Sequence, residues 1–167
     1  MSESFVCSVC GEPHAGLPTD QAYKLPDEVW AIPAQERQER AKFTADLCQY
    51  GDRYFVRCLL RLPFTETDGY FGWGVWVEVD RPVFERYLSL YEADGSGEAP
   101  HPGKLANALP GYDATLRTDV LIQFGDRERR PSVLFPSDDQ SPLALEQRSG
   151  IDGSRYHEIL AAVRAQP

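Results

Sequence analysis

The sequence predicts an α+β fold in one domain, an antiparallel sheet with helices on one face. Three observations carry this. Two segments, 54–62 and 70–79, place apolar side chains at period two, the pattern of strands with one buried face. Segments after Asp80, Ser141 and Asp152 show apolar residues at helical spacing behind side chains suited to cap a helix. Near the start, Cys7 and Cys10 stand two residues apart with His14 close behind, a turn that resembles a zinc knuckle.

Along the chain, residues 1–20 are rich in turn formers and hold the cysteine pair. Ile32-Pro33 then opens a short helix through PAQERQERAKF; Pro33 suits its first turn, and Glu36 and Arg40 lie four apart on a solvated face. In residues 54–62, entered by a turn at Gly51-Asp52, Tyr54, Val56, Cys58, Leu60 and Leu62 share one side, with Arg57 and Arg61 on the other. In residues 70–79, Phe71, Trp73, Val75, Val77 and Val79 share one face, and the two strands form a hairpin. Trp73 is therefore expected inside. Trp76, an odd number of residues away, is expected to be more accessible or covered only by a separate element.

Asp80-Arg81-Pro82 starts a helix reaching about Tyr91, with Val83, Tyr87, Leu88 and Leu90 on its apolar side. The loop EADGSGEAPHPG, residues 92–103, is the expected flexible segment, without being a domain boundary. A helical turn around Leu105–Leu109 and the turn Pro110-Gly111 lead to strands near 115–124 and 131–135, joined by GDRERR as a second hairpin. Two helices follow. Ser141-Pro142 supplies the cap and first position of one and Gly150 its end; Asp152 caps the other, where Ile151 and Tyr156 form a hydrophobic staple. The domain assignment is residues 1–167 as one unit.

With 42% apolar and 26% charged residues the composition is globular, which excludes a disordered or fibrous chain. The start MSESFVCSVCGEPH has neither a basic region nor an apolar run of signal-peptide length, and no apolar stretch approaches a membrane span, so a cytoplasmic protein with no membrane partner is expected. A net charge of −9 repels phosphate backbones and argues against nucleic acid as a partner, while leaving room for a protein partner.

Four cysteines without an export signal read as reduced thiols or metal ligands. Cys7 and Cys10 can grip one zinc ion because a tight turn, helped by Gly11, brings both sulfurs to one side, and His14 offers a third ligand. Two cysteines compete for the fourth position. Cys58 shares a strand face with Val56 and Leu60 and reads as a buried hydrophobe, whereas Cys48 precedes the strand in a polar turn. The expected set is therefore Cys7, Cys10, His14 and Cys48, against the alternative of four ordinary thiols. A redox role for the cysteine pair lacks the preceding buried strand that such motifs need.

Elsewhere, Gly72 and Gly74 share a face with Tyr70 and Trp76 and leave a bare strip between large rings. Either the chain's own backbone packs there, or Tyr70, Gly72, Gly74 and Trp76 form a ligand slot. Asp138-Asp139 is better placed to complement a helix start than to do acid–base chemistry. Arg127, Arg129 and Arg130 offer an anion grip, but with Asp126 and Glu128 interleaved they read as a solvated hairpin tip, and His101 and His157 as ordinary surface or boundary residues. No catalytic motif is present, so no catalytic residue is assigned.

The opening C-S-V-C-G-E-P-H-A-G-L-P, Asp46–Cys48, the G-W-G-V-W strand and the closing P-L-A-L-E-Q-R-S-G-I together resemble a bacterial domain-of-unknown-function family of small cytosolic proteins. The resemblance implies no activity. The expected function is a zinc-binding, non-enzymatic interaction or regulatory module, with a metal-dependent hydrolase using an open coordination position as the alternative.

Overall fold

The two alternating segments form the centre of the fold. In the computed structural model, which describes residues 19–166, they are β4 (Arg53–Pro63) and β5 (Tyr70–Val79), paired antiparallel from Tyr54↔Val79 to Pro63↔Tyr70. Ahead of them come β1 (Asp20–Ala22), α1 (Asp27–Trp30), α2 (Ala34–Arg40), β2 (Ala41–Phe43) and β3 (Leu47–Tyr50). After them come α3 (Arg81–Ser89), β6 (His101–Leu105), β7 (Asp119–Gln123), β8 (Ser132–Leu134), α4 (Pro142–Ser149) and α5 (Gly153–Arg164).

The sheet is mixed rather than antiparallel, and it closes. β5, β6, β7 and β8 continue the β4–β5 hairpin as antiparallel neighbours, and β8 returns to pair with β4 in parallel at Leu59↔Ser132. These five strands make a barrel-like core. β1 adds a second parallel pairing along Gly72–Gly74 of β5.

The two faces of the hairpin bury two cores. Val56, Cys58, Leu60, Leu62, Phe71, Trp73, Val75 and Val77 point into the larger one, completed by side chains of α3, α4 and α5 such as Phe84, Leu143 and Ile159. Phe55 and Trp76, on the opposite face, join Leu25, Val29, Ala41, Cys48 and Ala106 in a smaller core. Trp73 and Trp76 thus fall on opposite faces as the alternation requires, and both are fully buried because a separate element covers Trp76. The helices do not lie on one face only, because α1 contributes Val29 to the smaller core. Buried Asn107 ties that core together. Its Oδ1 accepts from Trp76 N at 2.7 Å, and its Nδ2 donates to Leu25 O at 3.0 Å and Asp27 Oδ1 at 2.8 Å.

The capping signals hold: Asp80, Ser141 and Asp152 each accept from a backbone N–H three residues on. α2 is solvated, with Glu36 and Arg40 paired at 2.6 Å. Two expectations fail in the middle of the chain. Residues 101–103 belong to β6 instead of a loop, and Leu105 ends that strand, with no helix over 105–109. The P-L-A-L-E-Q-R-S-G-I segment proves to be a fastening. Gln147 donates to Val133 O of β8 at 2.7 Å, Arg148 to Asp139 O at 2.6 Å, and Ile151 N to Pro63 O at 2.8 Å. Glu146 accepts from Arg155 at 2.6 Å and from the hydroxyl of Tyr112.

Candidate functional site

Cys7, Cys10 and His14 lie outside the described residues. Cys48 does not lie in a polar turn: the β2–β3 turn ends at Asp46, and Cys48 sits in β3 opposite Phe43 and Phe55, fully buried in the smaller core. Burial pushes its thiol up to about 11 and that of Cys58, in the larger core, higher still. The two cysteines therefore share the apolar environment expected for Cys58 alone. Among the described residues no group of three or more His, Cys, Asp or Glu side chains is placed to hold a metal ion.

The chain itself fills the glycine strip. β1 lies along it, with Gly72 N donating to Thr19 O and Tyr23 N to Gly74 O, both at 2.9 Å. A Cβ on Gly74 would stand 2.9 Å from that of Ala22, and one on Gly72 would stand 3.0 Å from Leu59 Cδ1. Trp76 is fully enclosed beside it, donating Nε1–H to Tyr23 O. Of the four slot residues Tyr70, Gly72, Gly74 and Trp76, Tyr70 and Gly74 border an open cavity.

That cavity arises from how β4 shares its outer edge. Its first residues pair with β3, from Tyr50↔Arg53 to Leu47↔Val56, and Leu59 pairs with β8. In between, Arg57 N donates to Asp46 O and Leu59 N to Pro131 O. β3 and β8 diverge at this fork, and an open cleft of about 960 Å³ lies there, lined by Asp46, Arg61, Tyr70, Tyr87, Tyr91, Phe124, the 125–130 loop and Ser132.

Asp46 clasps the mouth. Thr44 Oγ1 accepts from the N–H groups of Asp46 and Leu47 and so fixes the β2–β3 turn that presents the carboxylate. Asp46 then accepts from Arg130 Nε at 2.9 Å and from the Tyr91 hydroxyl at 2.8 Å. Burial alone would raise its carboxyl, but these hydrogen bonds and the charges of Arg130 and Arg57 outweigh it and hold the group below the usual carboxylate range. Arg61 donates to Ser132 Oγ at 2.6 Å and lies 5.4 Å over the Tyr70 ring. Arg57 is less satisfied: its Nη1 reaches Ala45 O only at 3.5 Å and its buried Nε has no acceptor. Desolvation first, and the like charge of Arg130 second, lower its pKa.

Arg130 by hydrogen bond and Arg57 by charge thus meet the one carboxylate of Asp46 at the fork, and Arg61 stands on Ser132 across the cleft, while Asp126, Arg127, Glu128 and Arg129 of the loop tip balance in sign. In a chain of net charge −9 this is a local positive excess. GDRERR is not simply a solvated turn: Arg130 turns back to Asp46 and the loop walls the cleft. The available signal was the pair Arg57 and Arg61, four apart on the outer face of one strand.

A second charged group lies elsewhere: Arg53 pairs with Glu78 at 2.7 Å and with Glu28, and Arg117 pairs with Glu78 and, at 3.7 Å, with Glu28. Its charges cancel. His101 stacks near Phe124 with ring centroids 4.9 Å apart, and Asp139 accepts from Ser141 N at the start of α4. Among the described residues no helix is long and apolar enough to cross a membrane.

Comparison with known families gives one match, over residues 6–151, to the model of DUF2199, an uncharacterized protein conserved in bacteria. Neither the curated proteins nor the solved structures contain a match.

Proposed function

The chain belongs to the DUF2199 family of uncharacterized proteins conserved in bacteria, and from that premise we propose a cytoplasmic, non-enzymatic interaction or regulatory module whose binding surface is the cleft at the strand fork. The observation that carries this reading is the guanidinium charge of Arg61 and Arg130 lining an open cleft against the single carboxylate of Asp46, with Arg57 adding its charge behind that carboxylate. Guanidinium groups beside tyrosine rings are recognition chemistry: they orient planar or anionic groups.

Zinc on Cys7, Cys10 and His14 belongs to the same proposal as a brace for the N-terminal segment. Cys48 could enter that site only as a thiolate, which its apolar surroundings oppose.

The test is a fragment screen by amide NMR on the full chain, with anionic, neutral and cationic fragments. Shifts clustered at Asp46, Tyr91, residues 125–130 and Ser132 are expected. Fragments that bind only elsewhere, or none that bind, would refute the cleft as the working surface.

A further inference from the structure

We propose that the fork cleft binds a phosphomonoester carrying an aromatic group, its phosphoryl oxygens replacing the Asp46 carboxylate on Arg130 and Tyr91. This rests on the cleft being the binding surface and adds the ligand class.

Charge balance selects the phosphoryl group. Asp46 already gives the fork one negative charge, delivered intramolecularly and held by Arg130 and Tyr91. An incoming carboxylate would exchange like for like and leave two guanidinium groups unneutralised. A phosphomonoester brings about 1.5 to 2 negative charges near neutral pH and three acceptor oxygens. It can therefore take over the Arg130 and Tyr91 donors and bring further negative charge to Arg61, which also lines the cleft, and to Arg57 behind Asp46.

The remainder of the ligand follows from size and walls. A cleft of about 960 Å³ far exceeds a phosphoryl group, and Tyr70, Tyr87 and Phe124 border it. Arg61 already lies over the Tyr70 ring, so a flat ring entering beside them meets aromatic faces and a cation.

Calorimetric titration of the full chain with phenyl phosphate, inorganic phosphate and benzoate tests this, at low salt and above the second phosphate pKa of about 6. Phenyl phosphate should bind roughly tenfold or more tightly than benzoate, the worth of one added charge-assisted contact in a cleft lined by Arg61 and Arg130, and its affinity should fall as salt rises. Arg130→Gln should weaken it to a similar extent. Asp46→Asn, which removes the competing charge at constant size, should tighten it, a gain that a misfolded variant could not give. Equal affinity for benzoate, no effect of Arg130→Gln, or weaker binding by Asp46→Asn would overturn the phosphoryl assignment, and equal affinity for inorganic phosphate would overturn the ester. If neutral or carboxylate fragments shift the cleft amides while phenyl phosphate does not, this inference falls and the cleft remains a binding surface. If no fragment of any charge binds there, both fall.

Discussion

Cys48 and Cys58 sit in separate cores with no exposed surface, and each thiol is held protonated by burial. A serine hydroxyl at either position has to find a partner among apolar side chains, at a cost of about 1–3 kcal/mol. Cys48→Ser and Cys58→Ser are therefore expected to lower the denaturant midpoint alike. Zinc per folded molecule, measured by native mass spectrometry, should stay unchanged in both and fall in Cys7→Ser. Loss of zinc from folded Cys48→Ser alone would instead make that buried thiol a ligand. At this scale the alternation of β4 and β5 was legible because period two fixes which face each residue takes, and it placed Cys58, Trp73 and Trp76 correctly. The environment of Cys48 was not, since it depends on a hairpin whose strands are too short to alternate. Alternation alone gives Arg57 and Arg61 a solvent-facing side; only the approach of β8 and its loop makes that side, at Leu59 and Arg61, one wall of a cleft.

Helix α4 ends at Gly150, whose φ of 87° is costly for any residue with a side chain. A Cβ there would also stand 2.8 Å from Pro63 O, a backbone atom at the end of β4. Gly51, in the turn before β4, has φ 61° and nothing within 4 Å of an added Cβ. Gly51→Ala should thus cost only the left-handed backbone penalty, about 1–2 kcal/mol. Gly150→Ala should cost more, because the Pro63–Ile151 junction must also move, and urea unfolding of the two variants measures the difference. Equal losses would mean that this junction yields freely. The helices were legible because their caps are local chemistry. β6, with the sequence HPGKL, was not: its pairing comes from lying between β5 and β7, where Gly103 lets the backbone pass against Val77.

Across the whole molecule, Arg53, Glu28, Glu78 and Arg117 join α1, the start of β4, the end of β5 and the segment before β7. Hydrogen bonding from Arg53 holds the Glu78 carboxyl below its ordinary value of 4.5 despite partial burial, and Arg117 adds to this. A carboxyl lowered on folding stabilises fully above that ordinary value and loses its contribution as the pH falls through the folded value. Glu78→Gln should therefore be less stable than the natural chain at neutral pH, with the gap closing below 4.5, as denaturant midpoints over a pH series would show. A gap that stayed constant with pH would assign the loss to packing. The barrel itself could not be read from local pattern, because β4 and β8 meet at residues far apart in the chain. Its strand number nevertheless imposes a polarity. A ring of five strands in up-and-down order cannot alternate all the way round, so its first and last members run the same way. The chain consequently enters the ring at one rim and leaves it at the other. β2 and β3 gather at the rim where β4 begins, while β1, along Gly72–Gly74 of β5, lies towards the rim where β4 ends and where Ile151 N donates to Pro63 O. The two arms of the chain nevertheless meet, since Tyr23 just after β1 lies beside Gln166, just past the end of the chain's last helix, so a change in the length of one arm is felt by the other.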